Sequence, residues 1–122
     1  MSLEMYKEHI LDLYRNPRNK GNLKNPNYEF SKNNPLCGDE IKIQIITKKN
    51  KITEIKFQGQ GCAISQVSAS LLTDKIKNLS TNKIKNFSEE DVLKLLKIPI
   101  SHARIKCALL PLDAIKGALK NA

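Results

Sequence analysis

Three cysteines and one aspartate are the residues whose types and placing point to chemistry. Cys37, Gly38 and Asp39 stand together in NPLCGDEIKI, Cys62 follows Gly59-Gln60-Gly61, and Cys107 stands in RIKCALLPLDAIK. An aspartate two residues after a cysteine, with glycine between, serves neither a disulfide nor an apolar core. It sets a hard donor beside a soft one. Three thiolates and one carboxylate suit a tetrahedral zinc ion or the sulfur-seeking irons of an iron–sulfur cluster. The intervals between the cysteines are long and lack the paired C-x-x-C of a zinc finger. Spacing alone therefore fits core or surface thiols equally well.

These donors must be positioned by elements far apart in the chain. Residues 3–14 carry apolar side chains at 3, 6, 10, 13 and 14 with charges opposite, the period of an amphipathic helix. The turn-rich RNPRNKGNLKNPN ends it. YEFSKNN, DEIKIQIITKK and ITEIKFQGQ alternate as three strands, the last in imperfect phase, and KNK marks a tight turn. From residue 65 onward the pattern is helical. Ser88 is placed to cap SEEDVLKLLK, and SHARIKCALLPLDAIKGALKN reads as a last helix or a helix pair, with Pro111 able to open the second segment. Strands before helices predict an α+β fold in a single domain, residues 1–122. In an antiparallel meander the loop before the second strand and the end of the third lie at one end of the sheet. Cys37 and Cys62 would meet there, and a helix crossing one face could bring Cys107 to them.

The whole composition narrows the partners. The 122 residues are 40% hydrophobic and 27% charged, ordinary for a folded protein, and no apolar run is long enough to span a membrane. The start MSLEMYKEHILDLY lacks the pattern of a secretory signal. With an odd number of cysteines, this predicts a cytoplasmic protein without a disulfide framework. The net charge of +9 reads first as solvated lysine and second as a face for an acidic partner. Aromatic content of 5% leaves few platforms for nucleic acid.

MYKEHILDLYRNPRNKGNL, NPLCGDEIKI, FQGQGCAISQVSASLLTD and RIKCALLPLDAIKGAL together resemble the successive signatures of the IscU/SufU/NifU-N family of iron–sulfur cluster assembly proteins. The resemblance runs from Tyr6 to about Leu119. It implies an N-terminal helix, a three-stranded antiparallel sheet and C-terminal helices packed on one face. It implies that Cys37, Cys62 and Cys107 hold the cluster and that Asp39 completes the metal site. It also implies a scaffold that takes sulfur from a cysteine desulfurase and hands a transient [2Fe-2S] cluster to acceptor apoproteins, with zinc in the same site of the isolated protein. Cys107 is then the expected persulfide acceptor, presented by a mobile helix end, with Cys37 the alternative. Asp39 is expected on a loop that can move, as the ligand that lets go first.

Departures from the family pattern keep a second reading open. Lys106 stands where IscU scaffolds carry a histidine, and RIKC resembles the SufU branch, zinc-dependent sulfurtransferases that relay persulfide. The chain nevertheless lacks that branch's insertion between the second and third cysteines. It also has IPISHARIK where IscU proteins carry LPPVK, a segment read by a dedicated chaperone. His9 reads as a surface residue and His102 as a first-turn residue after Ser101. Ser65, Ser68 and Ser70 read as close helix packing.

Overall fold

A computed structural model describes residues 3–35 and 38–120. Helix α1 (Leu3–Arg15) is followed by strands β1 (Tyr28–Asn34), β2 (Asp39–Lys48) and β3 (Lys51–Gln60). Then come α2 (Ala63–Ile76), α3 (Thr81–Lys85), α4 (Glu89–Leu96), a 3₁₀ turn at His102–Arg104 and α5 (Ile105–Ala118). The sheet is antiparallel in the order β1-β2-β3.

Alternation in β2 sends Ile41, Ile43 and Ile45 to one face, where Ile52, Ile55 and Phe57 of β3 join them, all fully buried. Ile52 and Ile55 are three residues apart yet both point inward. The pairing explains it: Thr47 faces Ile52 and Ile46 faces Glu54, so Thr53 is an extra residue in a bulge. This is the source of the imperfect phase in the sequence. Helix α5 lies over β1 and β2, and α2 over β3. Val67, Leu72, Leu112 and Ile115 complete the core, and α1 packs on α2 through its neighbourhood of Leu13.

The free edge of β3 is covered at both ends, which satisfies backbone groups that would otherwise invite another strand. Asn19 and Gly21 exchange hydrogen bonds with Phe57, and Asn78 and Leu79 do so with Ile52. On the polar face of the sheet, Gln44 is buried beneath the 21–24 segment and accepts the Leu23 N–H at 2.9 Å.

Two helix boundaries carry physical lessons. Ser88 caps α4 in a reciprocal box: Ser88 Oγ accepts the Asp91 N–H at 3.3 Å, and Asp91 Oδ2 accepts the Ser88 N–H at 2.8 Å. Of the single helix and the helix pair that the sequence allows, the structure has one continuous helix with Pro111 inside it. A proline there removes the N–H that would bond the carbonyl four residues back, and it normally breaks a helix. Burial overrides it: Leu110, Pro111, Leu112 and Ile115 are all in the core. The Ala108 carbonyl also accepts the Ser68 hydroxyl of α2 at 2.6 Å.

Candidate metal centre

Three donors from three separate elements meet at the end of the sheet where β2 begins and β3 stops. Asp39 is the first residue of β2, Cys62 is the N-cap of α2 and Cys107 lies in the first turn of α5. One ligand atom of each lies within 4.8 Å of the others. The register makes this meeting: Glu40 pairs with Gln60, so Asp39 stands opposite Gly61, one residue before Cys62.

The Asp39 carboxylate divides its two oxygens. Oδ1 accepts the Cys62 N–H at 2.9 Å, and Oδ2 lies 3.6 Å from Cys62 Sγ, whose thiol donates to it. The first contact satisfies a helix-start amide, for Cys62 has no side-chain cap of its own. The second leaves Oδ2 on one edge of a ligand set. With zinc bonds of about 2.3 Å to sulfur and 2.0 Å to oxygen, a tetrahedral edge between the two is about 3.5 Å. The observed 3.6 Å matches it, and the donor chemistry, two thiols and a carboxylate, suits zinc or iron.

Small and hydroxylated residues make the approach possible. A Cβ at Gly61 would fall 2.7 Å from Asp39 Cγ and 2.8 Å from Ser65 Oγ, so only glycine admits the carboxylate here. Ser65 Oγ donates to the Cys62 carbonyl at 3.0 Å, and Ser70 Oγ accepts the Arg18 N–H at 3.2 Å. Ser68 on Ala108 and Ser70 on Arg18 tie α2 to its neighbours, Ser65 closes its own first turn, and all three are buried in close helix packing. The sequence reads Gly61 as latitude for the backbone to approach a shared centre, and the structure gives that latitude as the space the carboxylate occupies.

Exposure corrects two expectations. Asp39 is not on a mobile loop: it is 2% exposed, paired in the ladder with Asn34 and tied to Cys62. Cys107 is not presented at a loose helix end but is 2% exposed, while Cys62 is half-buried. Lys106, next to Cys107, is exposed and lines a groove with Lys32, Glu89 and Asp113. His102 is exposed in the 3₁₀ turn and stands outside the converging group; His9 is half-buried on α1. Cys37, the remaining sequence candidate, lies outside the described residues. No helix among the described residues is long and apolar enough to cross a membrane.

This is an α+β fold whose sheet end gathers two thiols and a carboxylate from strand, cap and helix, the donor set of a sulfur-ligand metal site. The chain belongs to the NifU-like N-terminal domain family, whose pattern it matches over residues 5–121. It is 37% identical to the zinc-dependent sulfurtransferase SufU of Bacillus subtilis, covering 96% of this chain and 91% of that one. It is 32% identical to the iron–sulfur cluster assembly scaffold protein IscU of Escherichia coli K12, covering 95% and 92%. Among solved structures it superposes with a TM-score of 0.79 and 26% identity on a putative iron–sulfur cluster assembly scaffold protein for the SUF system from Fervidobacterium islandicum. That match covers 97% of this chain and 99% of that one.

Proposed function

We propose that this chain, acting as a single cytoplasmic domain, assembles [2Fe-2S] clusters and passes them to acceptor apoproteins, with a cysteine desulfurase as sulfur source. The observation that carries this reading is the convergence of Asp39, Cys62 and Cys107 at a site where Cys62 remains partly open. Cys37, two residues before Asp39 in the sequence, would complete the set of four donors. The cluster is cargo: the thiolates bind its irons, and the buried carboxylate holds one further position while its other oxygen fixes the start of α2. We assign sulfur acceptance to Cys107, with Cys37 as the alternative. In that step the accepting thiolate attacks the terminal sulfur of the desulfurase persulfide, that S–S bond breaks, and the desulfurase cysteine leaves as thiolate. Because Cys107 is buried, this step requires the site to open so that the persulfide can reach the sulfur.

Chain length supports the scaffold reading. The alignment with the Bacillus SufU is 135 positions long, whereas that with the Drosophila IscU is 121, for the same 96% of this chain. The Bacillus protein thus carries residues that have no counterpart here. A second reading, a zinc-dependent sulfurtransferase relaying persulfide, draws on the higher identity to that same protein.

Anaerobic reconstitution with ferrous iron, cysteine, reductant and a cysteine desulfurase tests the choice. Equal iron and acid-labile sulfide, [2Fe-2S] absorption and transfer to an apo-ferredoxin are expected. A protein that keeps zinc, stimulates the desulfurase and never holds sulfide with iron would establish the second reading instead.

A further inference from the structure

The positive charge of this chain is concentrated at the pole of the sheet opposite the metal centre. Residues 47–53 and 75–88 contain seven lysines and no acidic residue. The rest of the chain holds 14 basic and 12 acidic residues, so seven of the nine net charges reside in these two segments. They are far apart in sequence, and the fold ties them together. Ile52 N–H donates to Leu79 O at 3.0 Å, Asn78 N–H to Ile52 O at 2.8 Å and Thr81 N–H to Asn50 O at 2.9 Å. Lys48, Lys49, Lys51, Lys75, Lys83 and Lys85 are all exposed there. Lys49 and Asn50 form the turn with φ of 54° and 64°, a left-handed pair that projects the tip from the sheet.

We propose that this lysine pole is a docking surface for an acidic face of a partner protein. Like charges gathered at one pole, with Glu54, Asp74 and Glu89 only at the margins of the two segments, repel one another, and an opposing row of carboxylates relieves that repulsion. The composition of the pole selects the partner. It contains no arginine, so it lacks the planar fork that grips phosphate in two places. The exposed large apolar residues, Leu11, Tyr14 and Phe30, belong to α1 and β1. The pole therefore offers neither a stacking platform for bases nor an apolar anchor for a bilayer. Lysine point charges on a convex tip suit carboxylates spread over a protein surface. β2 runs ten residues from Asp39 to Lys48, which separates pole and metal centre by about 30 Å. A partner held at the pole leaves the metal centre free, so the inference stands whichever function that centre performs.

Fluorescence anisotropy with labelled poly-L-glutamate as the acidic polypeptide tests it. The pole variant K48Q/K49Q/K83Q/K85Q is compared with K7Q/K24Q/K94Q/K120Q, which removes four exposed lysines elsewhere. The pole variant is expected to bind at least about tenfold more weakly at low salt, and the control within about twofold of the natural protein. Zinc binding by both variants should stay unchanged, which shows that both are folded. Equal losses in the two variants would overturn the proposal, because the charge would then act diffusely. Tighter, pole-dependent binding to a single-stranded RNA or to phosphatidylserine vesicles than to polyglutamate would overturn the assignment of a protein partner.

Discussion

Asp39 holds Cys62 twice: its Oδ1 accepts the Cys62 backbone N–H at 2.9 Å, and its Oδ2 lies 3.6 Å from the Cys62 sulfur. One carboxylate thus starts helix α2 and faces the ligand site at once. Asp39→Ala should lower the stability of the metal-free protein, since a buried amide loses a charged acceptor worth about 1.5–3 kcal/mol. Asp39→Asn, which keeps an acceptor oxygen, should recover much of that stability but not the zinc affinity. Urea unfolding of the metal-free proteins and zinc competition against a chromophoric chelator separate the two roles. Equal zinc affinity in Asp39→Asn and the natural protein would remove the carboxylate from the ligand set.

Zinc should bind at about one ion per chain. Changing Cys37, Cys62 or Cys107 to serine should each weaken it by about 100-fold or more, because thiolates supply most of the affinity. His9→Ala and His102→Ala should leave affinity unaltered, since neither residue joins the converging group. Metal-free Cys107→Ser should also be less stable than metal-free Cys62→Ser, because Cys107 is fully buried and Cys62 is not. Undiminished affinity in Cys62→Ser would refute the proposed centre.

Gly61 and Gly38 should lose different properties on change to alanine. At Gly61 the new methyl would press on Asp39 Cγ and Ser65 Oγ, so zinc affinity should fall by about tenfold or more as the carboxylate is displaced. At Gly38 nothing among the described residues lies within 4 Å, but φ is +73°. Alanine there should cost about 1 kcal/mol of stability through backbone strain. The same two measurements, denaturation and metal competition, distinguish displacement from strain.

The α4 cap should contribute to acid sensitivity. The Ser88 backbone N–H, then its hydroxyl, hold the Asp91 carboxyl below its ordinary pKa. A carboxylate depressed in the folded state stabilises fully above its unfolded pKa, near 3.9. That contribution is lost as pH falls through the lower folded value. Asp91→Asn should therefore narrow its stability gap from the natural protein as pH drops from 6 to about 3, in denaturation midpoints across that range. Ser88→Ala should destabilise by about 1 kcal/mol at neutral pH.

Much of this protein is local and was readable as such. The three strands follow from alternation, the α4 cap from Ser88 three residues before Asp91, and the donor chemistry from the residue types in CGD and GQGC. Each depends on neighbours within a few positions, where periodicity and hydrogen-bond reach act directly. Tertiary structure decided what was not local. Asp39 reads as a loop ligand in the sequence, yet its place opposite Gly61 depends on the β2–β3 register, which pairs residues some twenty apart. Pro111 leaves one helix or a pair open in the sequence, and the burial of Leu110, Leu112 and Ile115 against the sheet, which outweighs its missing N–H, decides for one. The bulge at Thr53 likewise appears in the sequence only as a slipped phase. Convergence of Asp39, Cys62 and Cys107 is a property of strand pairing and helix docking, for each comes from a different element.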